Sequence, residues 1–493
     1  MRIAEGGPDA PHALFARARE ADRFHPRDRT LPFSAVLSGA MLGQAGYRVA
    51  LDEIASDSTV SLNDRLDAVF VEIAFGQMPF YRPVLERLRG RVDLVAAYGP
   101  YAEAHPEAVL DAGAVAVIDG DPESVVSPLA AWWRSGRRPA PPPGLWWRDG
   151  RTLRHSGAAP SAKTDELPFV PASVLRSERY HKYSFPLALG RPLHWGFILA
   201  TRGCFYSCRF CSSMARQSYR LTYRRCAPER LVAEMDYQVR EAGRTVLSVE
   251  DEIFTGDRKW AMEICRLLAA KNRRTPWIIQ TRLDHMDEEL ADALRTAGCV
   301  GMTCGVESGS DDVLERLNKK SKVAEIRRSA AMLDRLGFRN RYTFMIGAPG
   351  ETPDDVRRTE RLARELNPLI AQMSFCTPYP DTALAEGLAG ETAMRHTDRP
   401  WGNVSEMPDE IIARLRRRFY RRYYLSARYL DAHLADWLGY AWHNPGRAAI
   451  LTWKALAFFG RVLFSGDATG RCVPDNPPAS GRAAPSQRVR EVT

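Results

Sequence analysis

The sequence predicts an α/β protein in three parts: a Rossmann-like, flavodoxin-like parallel sheet, a partial (β/α)6 TIM-type barrel, and a helical C-terminal region. Three observations carry that expectation. Short apolar runs alternate with amphipathic stretches from Leu31 to Arg134. The alternation stops at Gly136–Gly144 (GRRPAPPPG) and resumes at Gly196. Beyond residue 400, apolar residues recur at helical spacing alone. A parallel sheet covered on both faces needs strands that read as unbroken apolar runs, with helices between them.

The elements follow in order. Residues 1–30 are polar, with many Arg and His, and read as an N-terminal extension. Ala35–Ala45 is a small-residue helix closed by Gly46, and Tyr47–Leu51 is a strand. Strands are then expected at Ala68–Ala74 (AVFVEIA), Asp93–Tyr98 and Ala114–Ile118, alternating with helices at Pro79–Arg89, His105–Gly113 and Pro122–Arg134. This makes residues 31–135 the first α/β domain. Such sheets bind ligands in loops at the carboxyl ends of strands. Those loops hold Phe75–Met78, Gly99–Tyr101 and Gly120–Glu123. Three consecutive prolines favour an extended chain, so residues 136–185 read as a linker.

The second series has strand candidates at Gly196–Ala200, Val246–Glu250, Trp277–Gln280, Gly301–Gly305, Thr343–Gly347 and Gln372–Cys376. Helical stretches sit between them at Pro228–Ala242, Lys259–Lys271, Asp287–Ala297, Ala324–Leu336 and Pro353–Leu366. Six β/α units across residues 186–395 fall short of a closed eight-unit barrel, which takes about 250 residues. In residues 396–465, Ile411, Leu415, Phe419, Tyr423, Leu430, Leu434 and Trp437 keep one helical face apolar. Residues 466–493 are rich in Pro, Ser, Ala and Arg and predict a disordered tail.

Bulk composition narrows the classes. The chain has 493 residues, 45% hydrophobic and 26% charged, which suits a soluble globular protein of two or three domains. Its net charge is 69 − 60 = +9, with seven arginines between Arg414 and Arg428. No nucleic-acid-binding motif accompanies them, which argues against such a partner. A solvated basic face is the plain reading, and an anionic partner the other. Met1–Gly7 shows no secretory signal, and nine cysteines without a disulfide framework suit a reducing cytoplasm. No apolar run reaches the ~20 residues of a membrane span. Ala448–Phe464, interrupted by Lys454 and Arg461, reads either as a packed helix or as a peripheral helix on a membrane surface.

The chemistry concentrates in Thr201-Arg-Gly-Cys204-Phe-Tyr-Ser-Cys208-Arg-Phe-Cys211. Thiolates suit zinc or iron–sulfur clusters. A structural zinc site takes four ligands, often as two CxxC pairs, and no second pair is present. Three thiolates on a four-iron cube leave one iron open to a small molecule.

The spacing CxxxCxΦC, with Phe210 as the aromatic, resembles the motif of the radical S-adenosylmethionine superfamily. The resemblance spans roughly residues 190–395. It implies a [4Fe–4S] cluster on Cys204, Cys208 and Cys211, whose open iron chelates S-adenosylmethionine. It further implies reductive cleavage of that molecule to a 5′-deoxyadenosyl radical, with Phe210 near the adenine. Glu250 and Asp251, after the second strand, stand where the family contacts the methionine amino group. Gly305-Val-Glu307-Ser308-Gly309 resembles the fourth-strand segment whose acid holds ribose hydroxyls. Gly347, Pro349 and Gly350 lie in a segment that resembles the fifth-strand motif approaching adenosine. No catalytic acid, base or second-radical residue is identified. Cys304 and Cys376 read as inert buried thiols, and Tyr379-Pro380-Asp381-Thr382 resembles a loop that follows the sixth strand.

The α/β domain ahead of this barrel resembles the cobalamin-binding domain of a large subgroup of that superfamily. The phrases that carry this are Gly46-Tyr-Arg-Val49, His105-Pro-Glu107 and Gly120-Asp-Pro-Glu123, with Gly99, Pro100, Tyr101 and Gly120 as candidate cobalamin contacts. No DxHxxG occurs, so no histidine is offered to cobalt in the usual way. The resemblance implies a cobalamin-dependent, class B methyltransferase-like enzyme methylating an unactivated carbon of a small biosynthetic intermediate. It would draw electrons from a flavodoxin or ferredoxin. The alternatives are a cobalamin-linked cyclase, ring-rearranging or oxidising enzyme without net methyl transfer, and a non-enzymatic iron–sulfur or cobalamin-responsive binding protein.

Overall fold

The computed structural model describes all residues except 6–9, 19–30, 55–65, 75–76, 178, 183–184, 212–221, 272–274, 380–381, 387–403 and 465–493. Two sheets organise the described chain. The first has eight strands: β1 (Arg2–Ala4), β2 (His12–Ala18), β3 (Arg48–Ile54), β4 (Ala68–Glu72), β5 (Leu94–Tyr98), β6 (Ala116–Ile118), β7 (Leu145–Asp149) and β8 (Thr152–His155). Their order is β1-β3-β2-β4-β5-β6-β7-β8. Strands β2 to β6 run parallel. Counted in chain order, those five strands lie 2-1-3-4-5, the flavodoxin-like arrangement, whose switch point falls between β2 and β4.

Two expectations are corrected here. Residues 2–4 and 12–18 are strands of the sheet, and β2 is paired on both sides. Ala13-Leu-Phe-Ala16 is buried in β2, and this short apolar run sits among polar neighbours in the sequence. The segment read as a linker is also partly sheet. The prolines lead into the β7–β8 hairpin, which extends the sheet antiparallel to β6.

The second sheet is fully parallel: β9 (Trp195–Ile198), β12 (Val246–Val249), β13 (Trp277–Thr281), β14 (Cys299–Glu307), β15 (Arg341–Ile346) and β16 (Ile370–Phe375), ordered β16-β15-β14-β13-β12-β9. Strands β9 and β16 do not pair, so the barrel stays open. A short antiparallel ribbon, β10 (Thr201–Arg202) with β11 (Arg224–Arg225), follows β9. One face of the sheet is apolar: Leu247, Ile279, Met302, Val306, Phe344 and Met373 join the helices in one core. Side chains alternate along a strand. The other face therefore presents Ser248, Glu250, Gln280, Thr303, Arg341 and Gln372 to the barrel interior.

The open edge at β16 is covered by the helix Asp409–Tyr424. Residues four apart stand on one helical face. Arg416, Tyr420 and Tyr424 use that spacing to satisfy the edge. Tyr420 Oη accepts from Met373 N at 3.0 Å, and Tyr424 Oη accepts from Ala371 N at 3.1 Å. The same hydroxyls lie 3.2 and 3.0 Å from the carbonyls of Met373 and Ala371, and Arg416 Nε donates to Met373 O at 3.1 Å. The side chains replace a missing strand, removing a sticky edge. The expected common apolar face does not continue. Ser426 starts a new helix, Ala427–His443, in which Tyr429, His433 and Tyr440 are buried while Leu430 and Leu434 are exposed. The break at Leu425 resets the helical phase, so spacing counted across it misplaces both leucines.

Candidate active site

The three cysteines lie in the loop after β9, at the carboxyl end of the second sheet. Asp251, one residue past Glu250, fixes the start of that loop: its Oδ1 accepts from Ala200 N at 2.8 Å and Thr201 N at 2.9 Å. Farther on, Arg209 N donates to Leu317 O at 3.1 Å, Leu384 N to Arg209 O at 2.9 Å, and Asn318 Nδ2 to Ser207 O at 2.7 Å. Cys211 N donates to Cys208 O at 3.2 Å, which turns the chain back on itself. Cys208 is buried, whereas Cys204 and Cys211 are partly exposed.

Burial raises the thiol pKa of Cys204 and Cys208, and the other thiols of the loop push the same way. Arg282 opposes the rise at both, and Lys319 opposes it at Cys208. A site that must hold three thiolates needs such cations, because unpaired buried negative charge is costly. The donor set therefore fits a four-iron cluster: soft ligands on one loop with buried positive charge beside them. Among the described residues, no three His, Cys, Asp or Glu side chains are arranged to hold a single metal ion. A cube spreads its thiolates over separate irons and does not require that convergence.

Lys319 and Arg282 escaped the sequence reading. Lys319 Nζ sits 3.0 Å from Glu307 Oε1, both side chains buried, and 5.9 Å from the centroid of Phe210. Arg282 lies 3.9 Å over the ring of Tyr206 and donates to Asp284, Lys319 O and Ser321. Tyr206 Oη meets His285 Nε2 at 2.6 Å, and His285 Nδ1 lies 3.0 Å from Thr255 Oγ1. The available signal was Arg282-Leu-Asp-His285 directly after a predicted strand. Lys319 had none.

The residues expected to contact S-adenosylmethionine divide into two groups. Glu307 ends β14 in left-handed backbone, φ +65°, a conformation a non-glycine residue keeps only where its surroundings enforce it. Gly305 makes room for it: an added Cβ would lie 2.1 Å from Glu307 Oε1 and 2.8 Å from Lys319 Nζ. Glu250 projects into the barrel, where Lys182 Nζ donates at 2.8 Å, Gln280 Nε2 at 3.0 Å, and Ser248 also bonds to it. Phe210 packs against the small cluster of Val313, Leu317, Met345 and Cys376. These three face the cysteine loop or the interior.

The second group is occupied by its own fold. Asp251 is spent on the loop backbone, and burial pushes its carboxyl up to about 8. Ser308 Oγ pairs with Thr359 Oγ1 at 3.2 Å. Glu351 accepts from Gly347 N at 2.6 Å and Ala348 N at 3.3 Å, and Gly350 N donates to Glu406 at 2.9 Å. Their amide groups are thus engaged, and Pro349 is half-buried between them. Cys304 and Cys376 are buried, with thiols pushed far above the ordinary range. Residues 380–381 of the expected sixth-strand loop lie outside the described residues.

On the first sheet, Gly99 has φ +100°, and a Cβ there would lie 2.9 Å from Ile73 O. Pro100 and Tyr101 open the short helix Pro100–Ala104, and Tyr101 N donates to Ile73 O at 3.1 Å. Gly120 is different. Ala159, from the segment joining the sheets, sits 2.8 Å from where its Cβ would be, a side chain where Gly99 meets backbone. Two acids just beyond Gly120, Asp121 and Glu123, bond to residues that follow β9. Arg202, two residues before Cys204, donates to Glu123 Oε1 at 2.7 Å and Oε2 at 3.1 Å. Asp121 accepts from Arg224 at 2.7 Å and from Ala162 N at 3.0 Å. Arg202, Asp121 and Glu123 are all buried. The nearby arginines hold the Asp121 carboxyl below its ordinary range despite the opposing effect of burial. The turn after β6 thereby clamps the segment after β9 that leads into the cysteine loop.

Residues 198–363 match the Radical SAM superfamily. An uncharacterized methyltransferase of Pyrococcus horikoshii is 25% identical over 333 residues, covering 66% of this chain and 70% of that protein. The anaerobic magnesium-protoporphyrin IX monomethyl ester cyclase of Cereibacter sphaeroides is 31% identical over 191 residues, 38% of this chain and 31% of the cyclase. Among solved structures, the radical S-adenosylmethionine methyltransferase TsrM from Kitasatospora setae, with cobalamin and a [4Fe–4S] cluster bound, superposes with TM-score 0.62 at 19% identity, covering 78% of this chain and 76% of that one. The cobalamin-dependent S-adenosylmethionine radical enzyme OxsB superposes with TM-score 0.59 at 17% identity, covering 81% of this chain and 58% of OxsB. The chain shares the fold of TsrM and OxsB, and its residues 198–363 are similar to the radical S-adenosylmethionine superfamily.

Proposed function

We propose that this enzyme uses cobalamin together with a [4Fe–4S] cluster to methylate an unactivated carbon of a small molecule. The observation that carries the reading is the Arg202–Glu123 clamp, which ties the turn at the carboxyl end of β6 to the segment leading into the cysteine loop, the ends where such sheets bind ligands. When bound, the cluster supplies an electron to the sulfonium of S-adenosylmethionine and the cobalamin supplies the methyl group.

The protein's own residues then have distinct tasks. Cys204, Cys208 and Cys211 hold the cluster, and Lys319 and Arg282 offset its negative charge. Glu307, aimed by its left-handed backbone, accepts from the ribose hydroxyls. Phe210 lies against the adenine, and Glu250 meets the methionine amino group in competition with Lys182. Gly99, Pro100 and Tyr101 line the cobalamin. No histidine is assigned to cobalt. A flavodoxin or ferredoxin fits the need for a one-electron donor.

The test is product mass after anaerobic incubation of cluster- and cobalamin-loaded protein with candidate substrates. A product heavier by one methylene, formed together with 5′-deoxyadenosine, supports the reading. The second reading, a cyclase or oxidising enzyme without methyl transfer, rests on the cyclase similarity, which spans about a third of that relative. Substrate consumed with 5′-deoxyadenosine but without added mass would favour it.

A further inference from the structure

Tyr206 stands midway between Cys204 and Cys208. The roles given to the cluster cysteines leave its side chain unused, yet that side chain is firmly held. Arg282 lies 3.9 Å over the ring, and Phe205 packs beside it with ring centroids 4.9 Å apart. Its hydroxyl meets His285 Nε2 at 2.6 Å.

The far nitrogen of that imidazole fixes the direction of the bond. His285 Nδ1 lies 3.0 Å from the Thr255 carbonyl, which can only accept, so Nδ1 carries the proton. Nε2 then offers a lone pair, and Tyr206 Oη donates to it. Burial holds the imidazole pKa below its ordinary value, which favours this neutral form. Thr255 Oγ1 also bonds to Thr281 Oγ1, so the imidazole is anchored to the turn after β12 and to the last residue of β13.

The cation above the ring is the part that acts on the cysteines. Arg282 is buried, and Asp284 takes one edge of it at 2.9 and 2.6 Å. The guanidinium still favours the charged form of both Cys204 and Cys208. A cation beside the sulfurs likewise favours the reduced, more negative state of a cluster. A guanidinium on an aromatic face is held by cation–π attraction, so its place depends on where the ring stands.

We propose that Tyr206 and His285 are positioning residues for the cluster: their hydrogen bond fixes the ring that seats Arg282, and so sets the reduction potential. The inference rests on the [4Fe–4S] reading of the three cysteines and is independent of cobalamin and of the reaction performed. The experiment is a potentiometric titration of the full, reconstituted chain, followed by the paramagnetic signal of the reduced cluster. A cation displaced by a few ångströms changes the reduction equilibrium on the order of tenfold. Tyr206→Phe and His285→Leu should each weaken reduction by about that factor, moving the potential in the negative direction. Both remove the same bond, so the double variant should match either single one. His285→Gln, which keeps an acceptor near the Nε2 position, should restore most of the shift. Arg282→Met should give the largest shift, and adding Tyr206→Phe to it should change little more. Iron content gives a second reading: iron lost from Tyr206→Phe and His285→Leu but kept in His285→Gln supports the same role. Iron lost equally from all three overturns it. So do unchanged potentials in both single variants, or shifts that add in the double variant. A wild-type chain that takes up no iron would instead overturn the cluster reading itself.

Discussion

The two parallel sheets are built from the same β/α units but use their faces differently. In the first, β4 and β5 are buried along almost their whole length, and residues of both faces enter apolar cores. In the second, one face joins an apolar core, while the other carries Glu250, Gln280, Thr303 and Arg341 into an open barrel. A sheet filled on both sides can offer only its loops to a ligand. A half-barrel lined with polar groups can enclose one. The comparison assigns the first sheet to presentation and the second to chemistry, with the clamp between them setting their alignment.

Breaking the chemical half should have the largest effect. Cys208→Ala is expected to lose both the four-iron cluster and all cleavage of S-adenosylmethionine, because two thiolates do not hold the cube stably. Iron analysis and 5′-deoxyadenosine release check this, and full cleavage by the variant would contradict it. Next comes the junction. Arg202→Met strands the buried carboxylate of Glu123 and should cost about 3–5 kcal/mol. Thermal unfolding should show it, and a pair of transitions in place of one would mean that the sheets part company. An unchanged melting curve would remove the clamp from the account.

Glu307→Ala should weaken S-adenosylmethionine binding while leaving the cluster spectrum intact. Loss of a charge-assisted hydrogen bond is worth ~1.5–3 kcal/mol, or roughly ten- to a hundredfold in affinity. Lys319→Met tests the same pair from the other side, and unaltered affinity in both variants would leave the left-handed Glu307 without its proposed task. Smaller still is the effect at the open edge. Tyr420→Phe removes a hydroxyl bonded to both polar groups of Met373 and should cost about 1 kcal/mol in denaturant unfolding. The subtlest effect is a pH dependence. Burial raises Glu351 from 4.5 to about 7. The folded state then binds a proton that the unfolded state releases, so this group's contribution falls as pH rises from 4.5 to 7. Glu351→Gln should flatten that part of the stability profile.

Much of this was legible in the sequence because it depends on local pattern. Apolar runs such as Ala68–Glu72 can satisfy a backbone only as buried strands, and three cysteines in eight residues can only meet on one loop. What escaped depends on distant chain. Strand β2 carries only a short apolar run, Ala13–Ala16, and becomes central because β3 and β4 flank it. Lys182 and Lys319 occur in unremarkable contexts, and only folding brings them to Glu250 and Glu307. The Gly120–Glu123 turn resembled a cofactor loop, yet its acids serve Arg202 and Arg224, a pairing with more than 75 intervening residues. Leu430 and Leu434 were misplaced because a helix break is invisible to a periodicity counted through it.

The central claim is that both sheets serve one cleft, with cobalamin on the first facing the cluster on the second. It is tested most directly by reconstituting the full chain anaerobically with iron, sulfide and cobalamin, and recording absorption and paramagnetic-resonance spectra after gel filtration. The account predicts retained cobalamin alongside the cluster, with no nitrogen hyperfine splitting from a protein imidazole. A folded, cluster-loaded protein that retains no cobalamin would contradict it and leave the radical barrel without its partner sheet's cofactor.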